Sequence, residues 1–536
     1  MSSPSPKPEQ LPSSAPLDLE EVHRVTRFLE AIIEDRALLA PLGEEDRKAL
    51  LRACGMVAMP ERDAKQRLAR AAMKLRKETS REKDREIRNT AQIRTLRKAP
   101  VFTAPALPPG EIPRPAETEQ RMLEKPRNCY VCKGEYRVVH FFYDSMCTPC
   151  GDFNYAKRFQ RADLRGKVAL ITGGRVKIGY QASLLLLRSG AHVIATTRFP
   201  HDAALRYVKE PDFKEWGHRL EIHGLDLRHA PSVELFAKFL ERKHARLDIL
   251  INNAAQTVRR PPGFYGHLLQ AELEPTAGLD AQARSLLRAH EECVEALDQV
   301  RQLGAGQSGH EGAATRVDAA MTASWKSHDP SLGIRASAAL SQLPYAMEQE
   351  GDVEQLFPTG RLDADLQQVD LREVNSWRLT LGEVQTAEML EVHLVNAVAP
   401  FILCSKLKGL MLRDRERHGP GHIVNVSAME GVFSRGTKTD KHPHTNMAKA
   451  ALNMMTLTSA PDYARSGLYM NAVDTGWVTD EDPAQHAERK VKELDFQPPL
   501  DIVDGASRIV DPVFEAARTG ECVWGNFFKD YRPASW

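Results

Sequence analysis

Apolar and polar residues recur in two different patterns along the chain, and the first pattern has the periodicity of a helix. Within residues 17–54, apolar side chains recur at helical spacing and form one face of a predicted helix: Val22, Val25, Phe28, Leu29, Ile32 and Ile33. A second short helix is predicted at 44–54. Residues 61–98 contain 14 Lys or Arg against 6 Asp or Glu and few apolar positions. They predict a solvated helix with charge pairs between its turns. Binding of nucleic acid or of an acidic partner is the open alternative, although no aromatic residues separate the charges, as single-strand binders require.

From residue 166 short apolar runs alternate with helical segments. Strands are predicted at 167–174, 192–197, 219–224, 247–252, 422–427 and 469–474, and helices after the first strand and at 231–242, 389–412 and 445–464. An Ala-, Gln-, Glu- and Leu-rich, partly helical insertion interrupts this order at about 257–385. Strands that alternate with helices predict an α/β fold with a doubly wound parallel sheet.

Composition narrows the classes of protein that fit. The chain has 536 residues, of which 42% are apolar and 27% charged, with a formal net charge of +1. We therefore expect a sizeable core. The near-zero net charge argues against a polycation that binds nucleic acid along the whole chain. No apolar run approaches the ~18–20 residues that cross a bilayer, and the first residues lack a secretory pattern. We expect a cytoplasmic protein without a membrane segment.

Changes in composition divide the chain into four parts. Residues 1–99 form a helical, partly basic extension, and 100–127 a Pro-rich linker. Residues 128–160 hold four of the eight cysteines, and 161–536 hold the alternating strands and helices. The extension is a candidate surface for a protein partner.

The four clustered cysteines predict a metal site. Cys129 and Cys132 form one CxxC pair and Cys147 and Cys150 another, with 14 residues between the pairs. Two such pairs place four thiolates around one tetrahedral Zn²⁺, and the β-branched and aromatic residues between them suit the hairpin of a small zinc ribbon. Four protein ligands leave no open position, so the zinc is predicted to be structural. Two disulfides or unligated thiols are the alternative.

A set of short motifs lies at the carboxyl ends of the predicted strands. A glycine-rich turn follows the first strand and opens a helix, a context that holds a pyrophosphate; it comprises Thr172, Gly173, Gly174, Lys177, Ile178 and Gly179. Further along the chain come Asp226 and Leu227, the run from Asn252 to Ala255, Asn396, Ser427, Lys449, and the run from Asp474 to Thr479. This ordered set resembles the short-chain dehydrogenase/reductase superfamily. The resemblance covers about 166–256 and 386–536.

The resemblance implies a Rossmann-type domain that binds a nicotinamide dinucleotide and acts on a small-molecule substrate. Asp226 and Leu227 would lie near the adenine, Asn253 and Ala254 would support the cofactor wall, and four residues would face the nicotinamide amide: Thr475, Gly476, Val478 and Thr479. Many relatives are homo-oligomers, and we expect the same by analogy.

Two positions decide how the cofactor would bind. Family members that prefer NAD(H) carry an acidic residue after the second strand, whereas this chain has Arg198 there, which suits the 2′-phosphate of NADP(H). The alternatives are NAD(H), and an Arg198 that is only a surface side chain. The family pattern also places glycine where Lys177 stands. The lysine either contacts phosphate or obstructs the cofactor.

The catalytic pattern of the family is matched at three positions out of four. Asn396, Ser427 and Lys449 agree, but the family tyrosine, four residues before the lysine, is replaced by Thr445. A threonine hydroxyl cannot titrate near neutral pH. Three hypotheses follow: His444, or else His442 or Glu430, supplies the proton; the reaction needs little acid help, as with an enoyl substrate; or the domain is a scaffold or redox sensor that binds NADP(H) without catalysis. Within the insertion, Trp377 and Arg378 are candidates for facing the site, with buried packing as the alternative.

Overall fold

The computed structural model describes residues 18–99, 101–102, 121–305, 329–344 and 353–536, except the side chains of 300–305. The chain divides into two compact units, Met1–Glu82 and Lys83–Trp536. In the described part of the first unit, helices α1 (Leu19–Glu34) and α2 (Glu44–Ala58) agree with the predicted pair, and α3 (Arg62–Asn89) begins there. The α1 helix starts after Asp18, whose carboxylate accepts the N–H of Glu20 at 3.1 Å. The Ser- and Pro-rich start of the chain lies outside the described residues.

The second unit contains a hairpin and an eight-stranded sheet. The hairpin consists of β1 (Met122–Asn128) and β2 (Glu135–Val138). The sheet consists of β3 (Val168–Thr172), β4 (His192–Thr197), β5 (Leu220–Gly224), β6 (Ile249–Asn252), β7 (Gly421–Ser427), β8 (Leu468–Asp474), β9 (Phe527–Lys529) and β10 (Arg532–Ala534), in the order β10-β9-β8-β7-β6-β3-β4-β5. Its strands pair in parallel except β9 with β10. The six predicted strands are all present, whereas β9 and β10 were not predicted.

Helices cover both faces of this sheet, which confirms the doubly wound fold. After α3, the longer helices of the second unit are α4 (Gln92–Lys98), α5 (Thr148–Lys157), α6 (Lys177–Arg188), α7 (Pro200–Tyr207), α8 (Ala230–Lys243), α9 (Gly266–Leu273), α10 (Ala281–Ala305), α11 (Thr386–His393), α12 (Ala399–Leu412), α13 (Pro443–Ala464), α14 (Ala484–Leu494) and α15 (Ile502–Thr519). One apolar core lies between the sheet and α6 and α15, and the other between the sheet and α8 and α12. The glycine-rich turn and the catalytic positions are thus held by rigid elements.

The helix predicted at 389–412 is divided by a π-helical turn. Leu394–Val398 forms this turn between α11 and α12, and it contains Asn396. Thr386–Leu412 as a whole is long and apolar enough to cross a membrane, contrary to our estimate from apolar runs. However, 56% of its most apolar window is buried inside the protein, as expected for a core helix.

The insertion adds structure around the β5 edge of the sheet. Its helix α10 packs on β5 and α7, and Leu286 and Leu287 are buried in the same core as β4 and β5. The glycine-rich patch of the insertion lies largely outside the described residues. Residues 353–385 lie near the carboxyl ends of the sheet strands, where Trp377 and Arg378 line a cavity. The insertion therefore contributes both core and site.

The cysteine-containing segment begins earlier in the chain than the sequence indicates. Strand β1 lies within the predicted linker, and the turn between β1 and β2 carries the first CxxC pair. The basic segment also differs from the predicted solvated helix at its carboxyl end. There the Arg94 side chain is 1% exposed and forms ion pairs of 2.7 Å with both Asp144 and Asp495.

Candidate active site

A cavity of about 1280 Å³ opens at the carboxyl ends of the central strands. Its wall is formed by the turns that follow β3, β4, β5, β6, β7 and β8, by part of the insertion, and by Tyr130 and Lys133 of the cysteine segment. Open α/β sheets bind ligands at this edge, where the strand order reverses. The volume exceeds that of ordinary small-ligand pockets, so a dinucleotide and a second small molecule fit together.

The glycine-rich turn forms the floor of this cavity. Gly173 has a φ of 72°, which favours glycine. At Gly179 a Cβ atom would lie 2.1 Å from the carbonyl oxygen of Gly173 and 2.3 Å from Nδ2 of Asn253, so no side chain fits. Helix α6 begins within this turn, and its first N–H groups have no partner inside the helix. The turn therefore suits a phosphate group.

Lys177 adopts the backbone conformation of the glycine that it replaces. Its φ of 55° lies in the left-handed region, which costs a side-chain-bearing residue about 1–2 kcal/mol. The side chain lines the cavity. Burial would raise the pKa of Glu481, but the charges of Lys177 and Arg260 and hydrogen bonds from Thr479 and Thr257 lower it overall. The positive charge of Lys177 thus favours the ionised form of the Glu481 carboxylate near the turn.

Two predicted cofactor residues support the turn from below instead of lining the cavity. Thr172 is 2% exposed, and its hydroxyl accepts the N–H groups of Asn253 at 3.1 Å and Ala254 at 3.0 Å. Gly174 packs against Ala195. The other predicted cofactor residues all line the cavity: Gly173, Lys177, Ile178, Gly179, Arg198, Asp226, Leu227, Asn253, Ala254, Lys449, Thr475, Gly476, Val478 and Thr479.

The only acidic residue predicted near the adenine is already paired. Asp226 is buried, and its carboxylate accepts four hydrogen bonds from Arg228: one of 2.9 Å from the backbone N–H and three of 2.6–3.1 Å from the guanidinium. Burial would raise the pKa of Asp226, but Arg228 and, more weakly, Arg198 lower it. Arg228 also binds Glu391 at 3.0 Å. Arg228 thus pairs with both carboxylates, Arg259 lies 4.0 Å from Glu391, and Arg198 pairs with neither carboxylate.

Arg198 lies among aromatic and basic side chains at one end of the cavity. Its Nη2 donates to the Tyr265 hydroxyl at 2.7 Å, and its guanidinium lies 4.8 Å from the centre of that ring. Burial would raise the pKa of Tyr265, but the charges of Arg198, Arg260 and Arg175 outweigh it and lower the pKa. Among the residues that the structure describes, Arg198 forms no ion pair with a carboxylate. This end of the cavity therefore favours an anionic group.

Two of the three matched catalytic positions, Ser427 and Lys449, lie near the end of β7. Ser427 donates to Oδ1 of Asn453 at 2.5 Å, and Lys449 donates to the carbonyl oxygen of Val426 at 2.8 Å. Burial lowers the pKa of Lys449 to about 8, although Glu430 and Asp474 oppose the shift. Ser427 and Lys449 line the cavity.

Asn396 has a supporting place in the structure. Its Oδ1 accepts the N–H of Gln256 at 2.8 Å, and its Nδ2 donates to the carbonyl oxygen of Gln256 at 2.9 Å. The side chain does not line the cavity. The π-helical turn places this amide against the backbone of the β6 turn, so Asn396 fixes that turn.

Thr445 and His444 lie behind the cavity wall. Both are buried, at 1% and 2% exposure, and neither lines the cavity. His444 places Nε2 3.8 Å from Glu388, and burial, together with His442 and His393, lowers its pKa to about 4. His444 could face the substrate only if the helix began after it, whereas α13 begins at Pro443. The geometry therefore gives His444 no path to a substrate in the cavity.

His442, the second candidate, does line the cavity. Its ring stacks on Trp377 with centroids 3.8 Å apart and planes 8° apart. The backbone N–H donates to Leu379 at 2.8 Å, and a φ of 41° turns the residue inward before α13. Its Nδ1 is buried without a hydrogen-bond partner among the described residues. Burial lowers the pKa of His442, and Glu430 opposes the shift. A titratable ring thus lies on the aromatic face that the insertion supplies.

Several cavity residues were missed by sequence reasoning, some of them beside predicted site residues and others in distant segments. They include Tyr130, Lys133, Arg175, Arg228, Arg260, Glu391, Glu481 and Lys529. Tyr130 brings a phenol to the cavity, but burial raises its pKa to about 12. It therefore stays protonated near neutral pH and does not resemble a phenol activated by a lysine. No spacing in the sequence relates Tyr130 to the glycine-rich turn.

The four predicted metal ligands do come together. The Sγ atoms of Cys129, Cys132, Cys147 and Cys150 all lie within 4.8 Å of one another, and those of Cys132 and Cys147 are 3.7 Å apart. Tetrahedral zinc with four Zn–S bonds of about 2.3 Å separates its sulfur atoms by about 3.8 Å. The pKa of Cys132 is lowered to about 7, first by the N–H of Gly134 and then by Cys129. The four thiols are free of disulfides and fit one zinc ion.

Two family models match this chain. The model described as short chain dehydrogenase matches residues 167–273, and that described as enoyl-(acyl carrier protein) reductase matches 359–498. Both matches fall on the sheet domain, on either side of residues 274–358. They include the glycine-rich turn and the segment with Ser427 and Lys449.

The chain is also similar to curated relatives and to solved structures. An uncharacterized protein of Acanthamoeba polyphaga mimivirus is 30% identical over 402 residues, or 72% of this chain and 71% of that protein. The (-)-isopiperitenone reductase of Mentha piperita is 31% identical over 22% of this chain and 39% of its own length. A carbonyl reductase from chicken fatty liver, solved with NADPH, aligns at 16% identity and a TM-score of 0.39, over 70% of this chain and all of that chain (100%). The family assignment rests on the sequence matches.

Proposed function

Because this chain belongs to the short-chain dehydrogenase/reductase superfamily, we propose that it is an NADP(H)-dependent oxidoreductase. Its substrate would be a small carbonyl or alcohol compound, or an enoyl compound. The observation that carries the proposal is a single cavity lined by the glycine-rich turn, by Ser427 and by Lys449. Gly179 lets helix α6 begin close against the Gly173 carbonyl in that turn. When bound, the nicotinamide ring gives or accepts a hydride.

The arginine-rich end of the cavity supports a preference for NADP(H) over NAD(H). Arg198 follows β4 and forms no ion pair among the described residues, while Arg175 and Arg260 lie close enough to lower the pKa of the same tyrosine. A 2′-phosphate would be held there by Arg198 and the Tyr265 hydroxyl. NAD(H) would leave this positive charge unpaired.

The residues at the other end of the cavity would handle the substrate oxygen. Ser427 would orient it by a hydrogen bond, and Lys449 would contact the ribose through its ammonium. We propose His442 as the group that gives or takes the proton, with Glu430 nearby on the loop after β7. Its ring is titratable, lies on Trp377 and faces the cavity. Thr445 and His444 would only pack behind it.

The zinc predicted at the cysteine cluster would be structural in this proposal. The four thiolates would fill its coordination shell, so no position remains for substrate or water. The zinc would stabilise the hairpin of β1 and β2 and the start of α5. Elemental analysis of protein purified without chelator should find about one zinc per chain, and its absence would remove this part of the proposal.

Titration with NADPH and NADH tests the proposed cofactor. The wild type should bind NADPH more tightly, and Arg198→Ala should weaken NADPH about tenfold or more while NADH affinity changes little, since one charge-assisted contact is worth about 1.5–3 kcal/mol. Arg165→Ala is the control, because Arg165 is an exposed arginine whose side chain pairs with Asp163. Equal affinity for both dinucleotides in the wild type would overturn the NADP(H) preference.

NADPH binding without turnover on any carbonyl or enoyl substrate would instead favour a binding-only scaffold or redox sensor. The observation that supports this alternative is the replacement of the family tyrosine by Thr445, which is buried. Turnover of NADPH with any such substrate would exclude it.

A further inference from the structure

The cysteine segment shares its apolar core with one wall of the cavity. Tyr136, Phe142 and Tyr143 from this segment are buried together with Val478, Leu500 and Ile502. Val478 belongs to the turn after β8 that lines the cavity, and Ile178 of the glycine-rich turn packs against the same core. The segment is therefore continuous with the sheet domain and contacts both sides of the proposed dinucleotide site.

Tyr130 makes the direct contact between the cysteines and this wall. It stands between Cys129 and Cys132, and its backbone N–H donates to Ser145 at 2.8 Å. Its hydroxyl accepts the N–H of Trp477 at 3.0 Å. A Cβ at Gly476 would lie 3.2 Å from the same hydroxyl. The phenol thus lies against the 475–478 turn, and its place depends on the fold of the CxxC turn.

Two lysines surround the Tyr130 ring. Lys133 and Lys529 place their Nζ atoms 5.1 Å and 5.8 Å from the ring centre. Lys529 also pairs with Asp474 at 2.9 Å, at the end of β8. Lys133 has a φ of 62° and donates its N–H to Cys129 at 3.1 Å. Tyr130, Lys133 and Lys529 all line the cavity.

The rest of the cysteine segment is anchored independently of the cysteines. Arg158 is buried and pairs with Asp501 at 2.7 Å and Asp504 at 2.9 Å. The Tyr143 hydroxyl also contacts Asp504, at 2.5 Å. These bonds join α5 and the β2 side of the segment to the start of α15. The CxxC turn has no such buried ion pair among the described residues, and Cys132 is exposed. Backbone hydrogen bonds from Cys129 to Gly134 and from Tyr130 to Ser145, both of 2.8 Å, hold this turn, and a bound metal would add four bonds to them.

We propose that the zinc-bound CxxC turn is part of the dinucleotide site, with Tyr130 as a positioning residue that holds the 475–478 turn. The inference rests on the proposed function, because the ligand of that turn would be the nicotinamide end of the cofactor. Zinc binding to the cysteines fixes Tyr130, and Tyr130 fixes the Trp477 N–H and the turn around it. Loss of the metal therefore weakens dinucleotide binding at a distance from the metal itself.

The test compares Tyr130→Phe with Tyr136→Phe in the full, zinc-loaded chain. Tyr136 is a buried tyrosine of the same segment whose hydroxyl donates to the Asp144 carbonyl at 2.8 Å, away from the cavity. Tyr130→Phe should weaken NADPH binding about three- to tenfold, the worth of one hydrogen bond. It should also speed hydrogen exchange at the Trp477 amide. Tyr136→Phe should leave both unchanged.

Removal of zinc by a chelator provides the second arm. The wild type should then lose NADPH affinity and protection of the Trp477 amide, and added Zn²⁺ should restore both. Chelation should have little further effect on Tyr130→Phe. Equal NADPH affinity and equal Trp477 exchange in wild type, Tyr130→Phe and chelated protein would overturn the inference. If the wild type binds no dinucleotide, the proposed function fails, while the exchange of the Trp477 amide still decides whether zinc and Tyr130 control the turn.

Discussion

The glycine-rich turn and the start of α13 border the same cavity, and each departs from the family pattern at one residue. At the turn, Lys177 replaces glycine, yet its φ of 55° preserves the backbone path. At α13, Thr445 replaces tyrosine, and its hydroxyl is buried without a hydrogen-bond partner among the described residues. A backbone conformation can be kept by another residue at the cost of strain. The chemistry of a phenol cannot be kept by threonine, so it must come from elsewhere or be absent.

The largest effect is expected from a side chain added to the glycine-rich turn at Gly179, where the structure has no space for one. Gly179→Ala puts a Cβ against the Gly173 carbonyl oxygen, so the turn must open. We expect no measurable NADPH binding and a loss of about 2–3 kcal/mol in the free energy of unfolding, as for an overpacked site. Denaturant unfolding and NADPH titration measure these. Gly266→Ala is the control because no atom lies within 4 Å of its added Cβ. Normal NADPH binding by Gly179→Ala would contradict the assigned phosphate site.

The start of α13 is tested by separate substitutions of His442 and His444. His442→Ala should lower turnover about a hundredfold with NADPH affinity kept, because it removes the proposed proton donor. His444→Ala should change turnover less than about twofold, since His444 lies behind the wall. Steady-state kinetics and NADPH titration separate the two. The reverse ranking would return the proton-transfer role to His444.

The pH dependence of the same reaction has a definite sign. Burial lowers the pKa of His442, so its neutral form prevails at pH 7 and accepts a proton during alcohol oxidation. Oxidation should therefore fall as the pH is lowered through that pKa, below the usual value of about 6.5. Reduction should rise over the same range, and this opposite trend should be absent from His442→Ala.

The smallest expected effect concerns the strain at Lys177. Lys177→Gly should raise the free energy of unfolding by about 0.5–1 kcal/mol, because relief of a left-handed φ exceeds the added entropy of the unfolded glycine. Lys177→Ala keeps the strained backbone but removes the ammonium, so its free energy of unfolding should not rise. If Lys177→Gly also keeps NADPH affinity, the ammonium is not needed for phosphate binding. A fall in melting temperature for Lys177→Gly would contradict the strain argument.

Sequence reasoning succeeded where local patterns carry the information. Buried parallel strands are short apolar runs, and the turn that ends β3 needs glycine at Gly173 and Gly179 for steric reasons, so both were predicted. The four cysteines were found because metal ligands recur at fixed spacing. The β9–β10 hairpin was missed because three-residue strands are too short for a periodic signal.

The unpredicted parts of the site depend on contacts between distant segments. Tyr130 meets Trp477 across 347 residues, and nothing in either neighbourhood indicates this pairing. Whether His442 or His444 faces the cavity depends on where α13 begins, and helix boundaries are the least certain part of a pattern. The cytoplasmic location, a homo-oligomer and a partner for the amino-terminal extension stay predictions.

The pairing of Arg94 with Asp495 has a consequence for how the chain matures. These residues are 401 positions apart and form a largely buried contact. A ribosome delivers Arg94 and the cysteines early, whereas Asp495, Leu500 and Asp501, which complete their surroundings, emerge near the end of synthesis. Until then the aromatic side chains of the cysteine segment lack these partners, whereas all four cysteines that would bind the proposed zinc are already present. Metal uptake during translation would thus protect the nascent chain before its own carboxyl-terminal residues can do so.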